Sequence, residues 1–309
     1  MAQLLDGTAL AAAIRAEVAE GVARLRATHG IAVTLATVLG GDDPAARGYA
    51  RSIARNAERA GIAHRQVALA PGADDAALRR IIGELNADRT VHGVLVLFPL
   101  PAPLERSTVA LALDPRKDVD GLTPYNAGLL AFGQPELVPS TPLGGMELLR
   151  RAGIEVAGKE AVVVGRSPVV GKPMALLLLN ANATVTVCHS RTPPSELAAI
   201  CRRADILCAA TGRAGLITAE MVKPGAVVVD FGMVPAAGGK LVGDVDFDGV
   251  ARVAGWITPV PGGTGPMTTA MLLRNTLRAA ELQTRDASAG KSLVDVPDEA
   301  STQERDSSA

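Results

Sequence analysis

The residues of this chain best placed by type and spacing to do chemistry are Gly165-Arg166-Ser167-Pro168-Val169-Val170-Gly171-Lys172-Pro173, where an apolar run breaks into glycine and restarts as a helix. Residues 161–164 are small or β-branched with no polar alternation, the pattern of a parallel strand covered on both faces. A glycine turn from such a strand into a helix offers free backbone N–H groups and the positive end of the helix dipole, which suits a phosphate. Gly165 and Gly171 let the backbone approach the anion, Arg166 and Ser167 lie between them, and Pro173 fits the first turn of the helix.

The spacing G-x-S-x-x-x-G departs from the G-x-G-x-x-G dinucleotide fingerprint, so alone it also describes any tight strand-to-helix turn. The next strand, 184–188, ends in His189-Ser190-Arg191-Thr192, where an NAD-binding fold would offer a carboxylate to the ribose hydroxyls. Ser190 and Arg191 stand there instead. With Arg166, a hydroxyl and a guanidinium at that strand end are the groups a ribose 2′-phosphate asks for, and the cofactor expected is NADP.

These groups need a sheet to hold them. Leu10, Ile14, Val18, Val22 and Leu25 fall at helical spacing, predicting an amphipathic helix over 8–26 with Thr8 as its N-cap. A strand at 31–39, a helix at 45–60 closed by Gly61, a strand at 64–69, a helix at 74–86 and a strand at 93–97 give a β-α-β-α-β series. A helix at 104–113 then leads to a charged loop, 114–121, of the kind that gathers at the carboxyl ends of strands in open α/β sheets. A helix at 143–152 precedes the strand at 161, and further strands at 206–210, 227–231 and 256–258 make a second doubly wound unit. The rigid loop 259–266 is followed by a last helix at 267–282. The segment from 283 on is rich in Ser, Asp, Thr and Ala and predicts disorder.

Composition sets the outer limits. A length of 309 residues suits two ordinary domains or one large α/β unit, and 48% hydrophobic with only 2% aromatic residues means a core of Ala, Val, Leu and Ile. A net charge of −1 without a basic block speaks against nucleic acid as a partner. Cys188, Cys201 and Cys208 are too few and wrongly spaced for a disulfide framework or a zinc site, so no metal is expected and a reducing compartment is favoured. The first residues lack the regions of a signal peptide, and the apolar run 176–179 is far too short to span a bilayer. A cytoplasmic protein with no membrane partner is expected.

Gly165-Arg166-Ser167 with Val170-Gly171-Lys172-Pro173-Met174, the run Lys117-Asp118-Val119-Asp120-Gly121, Pro139-Ser140-Thr141-Pro142, and Pro259-Val260-Pro261-Gly262-Gly263-Thr264-Gly265-Pro266-Met267-Thr268 together resemble the bifunctional methylenetetrahydrofolate dehydrogenase/cyclohydrolases, over about residues 5–282. The resemblance implies an α/β homodimer of two-domain chains: an N-terminal α/β substrate domain, 1–139 with 266–284, and a C-terminal Rossmann-like NADP-binding domain, 140–265. Residues 285–309 remain as a disordered tail. It implies a tetrahydrofolate-type substrate in the cleft, hydride transfer from its methylene carbon to the nicotinamide, and hydrolysis of the methenyl cation to the formyl form. Carried over by position, Tyr49 lies against the aminobenzoyl ring, Asp120 binds the aminopyrimidine end of the pterin, and Arg166 and Ser190 hold the 2′-phosphate. Pro261, Gly262 and Gly263 then line the substrate side near the nicotinamide.

Three positions depart from the family pattern. The lysine expected four residues after the tyrosine is Ile53, its glutamine partner is Leu97, and a serine expected before the tyrosine is Ala46. Losing donor and partner together avoids an unpaired buried polar group, which would cost ~1–3 kcal/mol. Hydride transfer needs mainly alignment, whereas water addition needs proton handling. Retained dehydrogenation with weak or absent cyclohydrolase activity is therefore the favoured reading. The alternatives are an NADP-dependent oxidoreductase on another one-carbon or imine substrate, and a non-catalytic folate- or NADP-binding homologue. Arg55, His64 and His92 are the candidates for a relocated proton donor.

Overall fold

The computed structural model describes residues 1–289, which build two parallel sheets, a small two-stranded antiparallel one, and the helices around them. In chain order the elements are β1 (Gln3–Leu4), α1 (Gly7–His29), β2 (Thr34–Leu39), α2 (Pro44–Arg59), β3 (Ala63–Ala68), α3 (Asp75–Ala87), β4 (Gly93–Val96), α4 (Arg106–Ala112), α5 (Pro124–Ala131) and α6 (Ser140–Arg151). Then follow β5 (Glu160–Val164), α7 (Gly171–Asn180), β6 (Thr184–Cys188), α8 (Pro194–Cys201), β7 (Ile206–Ala209), β8 (Val227–Asp230), β9 (Val234–Pro235), β10 (Leu241–Val242), α9 (Phe247–Val250), β11 (Trp256–Ile257) and α10 (Thr264–Ala289).

The first sheet has the order β3-β2-β4, all parallel. Its central strand is buried on both sides: Leu35 and Leu39 join a core shared with α1, α2 and α10, while Ala36 and Val38 pack with Leu78, Ile82 and Leu85 of α3 and Val109 of α4. The second sheet has the order β1-β11-β8-β7-β5-β6, again parallel. The long helix α10 packs on α1 and α6, so one core runs from the first sheet to the second. Glu147 of α6 reinforces that junction by pairing with Arg150, Arg151 and Arg274, while Arg151 also reaches Glu17 of α1.

Several sequence expectations are corrected. Asp6, not Thr8, caps α1, its carboxylate accepting from the Thr8 and Ala9 N–H groups. The N-terminal Gln3–Leu4 pairs with β11 and so completes the second sheet, although 1–139 was assigned to the first unit. The helix α5 was not foreseen; Thr123 caps it and Pro124 opens it. The last helix begins at Thr264 and runs on through 285–289, residues expected to lie in the disordered tail. The rest of that tail, 290–309, falls outside the described residues.

Candidate active site

The nucleotide turn forms as its glycines require. Gly165 takes φ +129, a region L side chains rarely adopt, and a Cβ there would collide with the Ala210 carbonyl oxygen. A Cβ on Gly171 would strike the Gly165 carbonyl. The turn is thus a cradle with backbone at its surface. Ser167 Oγ accepts from the N–H groups of Val170 (3.1 Å) and Gly171 (3.4 Å), so its hydroxyl steadies the start of α7. Strands β5 and β6 finish level, with Val164 opposite Cys188 and the Gly165 N–H donating to the Cys188 carbonyl at 2.8 Å. Arg166 therefore shares one sheet end with Ser190 and Arg191. All three are exposed, and among the described residues neither arginine enters an ion pair. A bare cradle beside two unpaired guanidinium groups fits a dinucleotide with an extra phosphate.

The helix α2 is started by Asp43, whose carboxylate accepts from Ala46 N–H at 2.7 Å, and by Pro44. Its buried stripe is Ala46, Ala50, Ile53 and Ala57, and Tyr49 borders that stripe with 36% of its surface exposed. The hydroxyl end is enclosed: burial first, and the Asp120 charge second, raise the phenol above its ordinary pKa, while a hydrogen bond with the Thr269 side chain opposes them. Tyr49, Asp120 and Thr269 thus meet from α2, the charged loop and α10. Burial, then the neighbouring Asp118 charge, push Asp120 up to about 7, opposed by the Ser140 N–H and hydroxyl and by the Arg106 charge.

The loop carrying Asp120 is held from every side. Lys117 Nζ donates to the carbonyls of Leu85 (2.9 Å) and Asp88 (2.7 Å), and Asp118 accepts from Leu122 N–H (2.9 Å), Thr123 N–H (2.8 Å) and Asn126 Nδ2 (2.9 Å). Asn275 of α10 donates to the Val119 carbonyl at 2.8 Å. Gly121, at φ +58, lies so close to Pro139 that a Cβ would come within 2.6 Å of its nitrogen. Of the charged run, Lys117 and Asp118 are spent on fixing the loop, and Asp120 faces Tyr49 and Ser140.

Ile53 is 0% and Leu97 4% exposed, and both belong to the core cluster that also holds Ala46 and Ala50. The proposed stand-ins for a proton donor lie elsewhere. Arg55 is exposed on α2, as the ~200° turn between two helical neighbours of Ile53's spacing requires. His92 pairs with Thr34 at the starts of β4 and β2, its Nδ1 accepting from the Thr34 N–H at 3.2 Å, and the carboxyl ends of the strands are at the far side of the sheet. His64 meets Thr37 Oγ1 at 3.0 Å from the second residue of β3.

Pro261 is exposed; the Gly262 carbonyl accepts from Thr8 N–H at 3.1 Å, a Cβ on Gly7 would strike the Gly263 carbonyl, and one on Gly263 would strike the Pro259 carbonyl. Thr264 Oγ1 then donates to the Asp230 carbonyl (2.8 Å), and Thr268 reaches Thr141 Oγ1 at 3.2 Å, tying α10 to β8 and α6. Sequence reasoning missed Thr269, Ser140 and Arg106 as neighbours of the two candidate side chains. The first two lie in or beside quoted motifs, and Arg106, stacked 4.1 Å over Phe98, carries no local signal.

Comparison with known proteins matches residues 5–120 to the catalytic domain, and residues 139–284 to the NAD(P)-binding domain, of tetrahydrofolate dehydrogenase/cyclohydrolase. A bifunctional protein FolD from Roseiflexus sp. (strain RS-1) is 55% identical over 280 residues, covering 91% of this chain and 96% of the relative. The crystal structure of the bifunctional enzyme FolD from Campylobacter jejuni superposes with a TM-score of 0.89 at 43% identity, covering 92% of this chain and all 100% of that one. A Trypanosoma brucei methylenetetrahydrofolate dehydrogenase-cyclohydrolase complexed with NADP cofactor and inhibitor gives a TM-score of 0.88 at 40% identity, covering 92% and 99% of the two chains. With both domains matched in order and a relative 55% identical over nearly its whole length, the chain belongs to the tetrahydrofolate dehydrogenase/cyclohydrolase family.

Proposed function

We propose that this protein is an NADP-dependent methylenetetrahydrofolate dehydrogenase whose cyclohydrolase activity is weak or absent. The observation that carries the second half is the burial of Ile53, one turn along α2 from Tyr49, and of Leu97 in one apolar cluster, at positions where a proton donor and its partner are expected from the family. NADP, when bound, accepts the hydride. The chain's own part is alignment: Tyr49 offers a ring face and edge to the aminobenzoyl group, and Asp120, backed by Ser140, takes the N–H groups of the aminopyrimidine. Family membership favours this over another imine substrate or a non-catalytic role. The direct test is oxidation of methylenetetrahydrofolate with NADP, followed by methenyl absorbance; no turnover together with no binding of a folate analogue would return the reading to those alternatives.

Arg166, Ser190 and Arg191 support NADP over NAD. Charged hydrogen bonds contribute ~1.5–3 kcal/mol each, so NADP should bind at least about tenfold more tightly than NAD, and Arg166→Ala should erase most of that difference. Equal affinities for the two dinucleotides in a titration of the parent would refute the assignment.

The reading includes a homodimer. Strand β6 is an open sheet edge with Val187 exposed, and Leu179 on α7 and Phe132 after α5 add exposed apolar surface on touching elements. Sedimentation should show a dimer, and Val187→Lys should shift it toward monomer; a monomeric parent at micromolar concentration would remove this part. Three free, buried cysteines suit a reducing compartment such as the cytoplasm, and among the described residues no helix is long and apolar enough to cross a membrane.

A further inference from the structure

Two further carboxylates are deeply buried outside the Tyr49 site. Asp230 ends β8 and Asp244 follows β10; they are 2% and 0% exposed, and among the described residues no cation pairs with either. Backbone donors replace the cation. Asp230 accepts from the N–H groups of Gly232 (2.7 Å), Asp244 (3.0 Å) and Val245 (3.0 Å), and Asp244 from those of Thr211, Gly212 (3.1 Å) and Arg213 (2.9 Å). Burying a charge this way is tolerable only while every donor stays in place.

The segments so gripped border the nucleotide turn and the start of α10. The turn 211–213 leaves β7 directly after Ala210, whose carbonyl is the atom that forbids a side chain at Gly165. It therefore leans on the nucleotide turn itself. On the other side, the Asp230 N–H donates to Thr258 Oγ1 (2.7 Å) and its carbonyl accepts from Thr264 Oγ1 (2.8 Å), at the first residue of α10, the helix that carries Thr269 to Tyr49. There is no slack between the two carboxylates, since a Cβ on Gly232 would strike Asp244 and one on Gly243 would strike Asp230.

We propose that Asp244 is a positioning residue for the cofactor, fixing the Thr211–Gly212–Arg213 turn against the Gly165 turn and so presenting the exposed, unpaired Arg213 to the cofactor's phosphates. Asp230 holds Asp244 in register and transmits the same constraint to α10. The proposal rests on the reading that this domain binds NADP.

Asp244→Asn keeps the shape but turns an amide N–H₂ toward backbone donors, and the dissociation constant for NADP, measured calorimetrically without substrate, should rise about tenfold or more. Glu147→Gln serves as the control, a buried carboxylate whose ion pairs join α6 and α10: it should lower the melting temperature and leave NADP affinity within about twofold. Parental affinity in Asp244→Asn, or equal weakening in Glu147→Gln, overturns the proposal. Should Asp244→Asn not fold, Arg213→Ala decides: this exposed substitution should also weaken NADP about tenfold, and unchanged binding overturns the proposal. A parent protein with no NADP affinity would instead overturn the cofactor reading beneath it.

Discussion

Supplied with methylenetetrahydrofolate and NADP, the protein should accumulate methenyl product, because oxidation proceeds while the methenyl cation is hydrolysed little faster than in buffer. A positioned acid or base typically contributes ~10²–10⁴ in rate, and Ile53 and Leu97 have neither a proton to give nor one to take. Both are enclosed in the core among apolar side chains. Ile53→Lys with Leu97→Gln should recover hydrolysis by about 10²-fold, part of the usual contribution of such a group. Ile53→Lys alone should recover less and lower the melting temperature, because a lysine against an apolar neighbour is desolvated and loses its charge. The measurement is the decay of methenyl absorbance with enzyme present. Rapid decay with the parent protein would mean that another residue has taken over proton transfer, and the positions of His92, His64 and Arg55 make none of them a ready successor.

Asp120→Ala should weaken a folate analogue by about 10²-fold, since two charge-assisted hydrogen bonds of ~1.5–3 kcal/mol each are lost, while NADP affinity stays near the parental value. Asp120→Asn should fall between, keeping one acceptor and presenting a donor in place of the other. The parent should show a pH dependence that both variants lack. With Asp120 at about 7 in the free protein, the carboxyl is protonated below that pH and offers an O–H where the ligand brings N–H donors. Folate affinity should therefore rise from pH 6 to about 8 and then level off. The sign for stability is opposite. Because folding raises this carboxyl above its ordinary 3.8, the free folded chain binds more protons than the unfolded one between the two values, and loses stability as pH climbs through that window. Asp120→Ala should flatten this slope in thermal melts. A folate affinity in Asp120→Ala equal to the parent's, at pH 8, would show that the pterin is anchored elsewhere.

Local pattern was sufficient wherever the physics is local. Strands such as 161–164 and 93–96 announce themselves by runs without polar residues because both faces are covered, and α2 begins where Asp43 and Pro44 favour a start. The nucleotide turn is legible because only glycine tolerates the contacts at Gly165 and Gly171, and the absence of a carboxylate at the end of β6 is visible in the letters themselves. That positions 53 and 97 carry apolar residues is likewise read directly from the sequence.

Tertiary structure decided what depends on segments far apart in the chain. Gln3–Leu4 is too short to show a period, yet it completes a sheet by pairing with β11. Asp118 and Asp120 are alike in the sequence, and only the surrounding chain turns one onto Thr123 and Asn126 as a staple and leaves the other beside Tyr49. Gly262 and Gly263 read as ligand-facing glycines, and their contacts to Thr8 and Gly7, more than 250 residues away, carry no local signal. Thr269, Ser140 and Arg106 acquire their electrostatic influence on the cleft from packing between α10, α6 and α4, and His92 is removed from it because its strand begins at the opposite end of the sheet. Residue type and spacing determined which chemistry this chain carries; the distances between helices and strand ends, which no local pattern encodes, determined which of those residues meet.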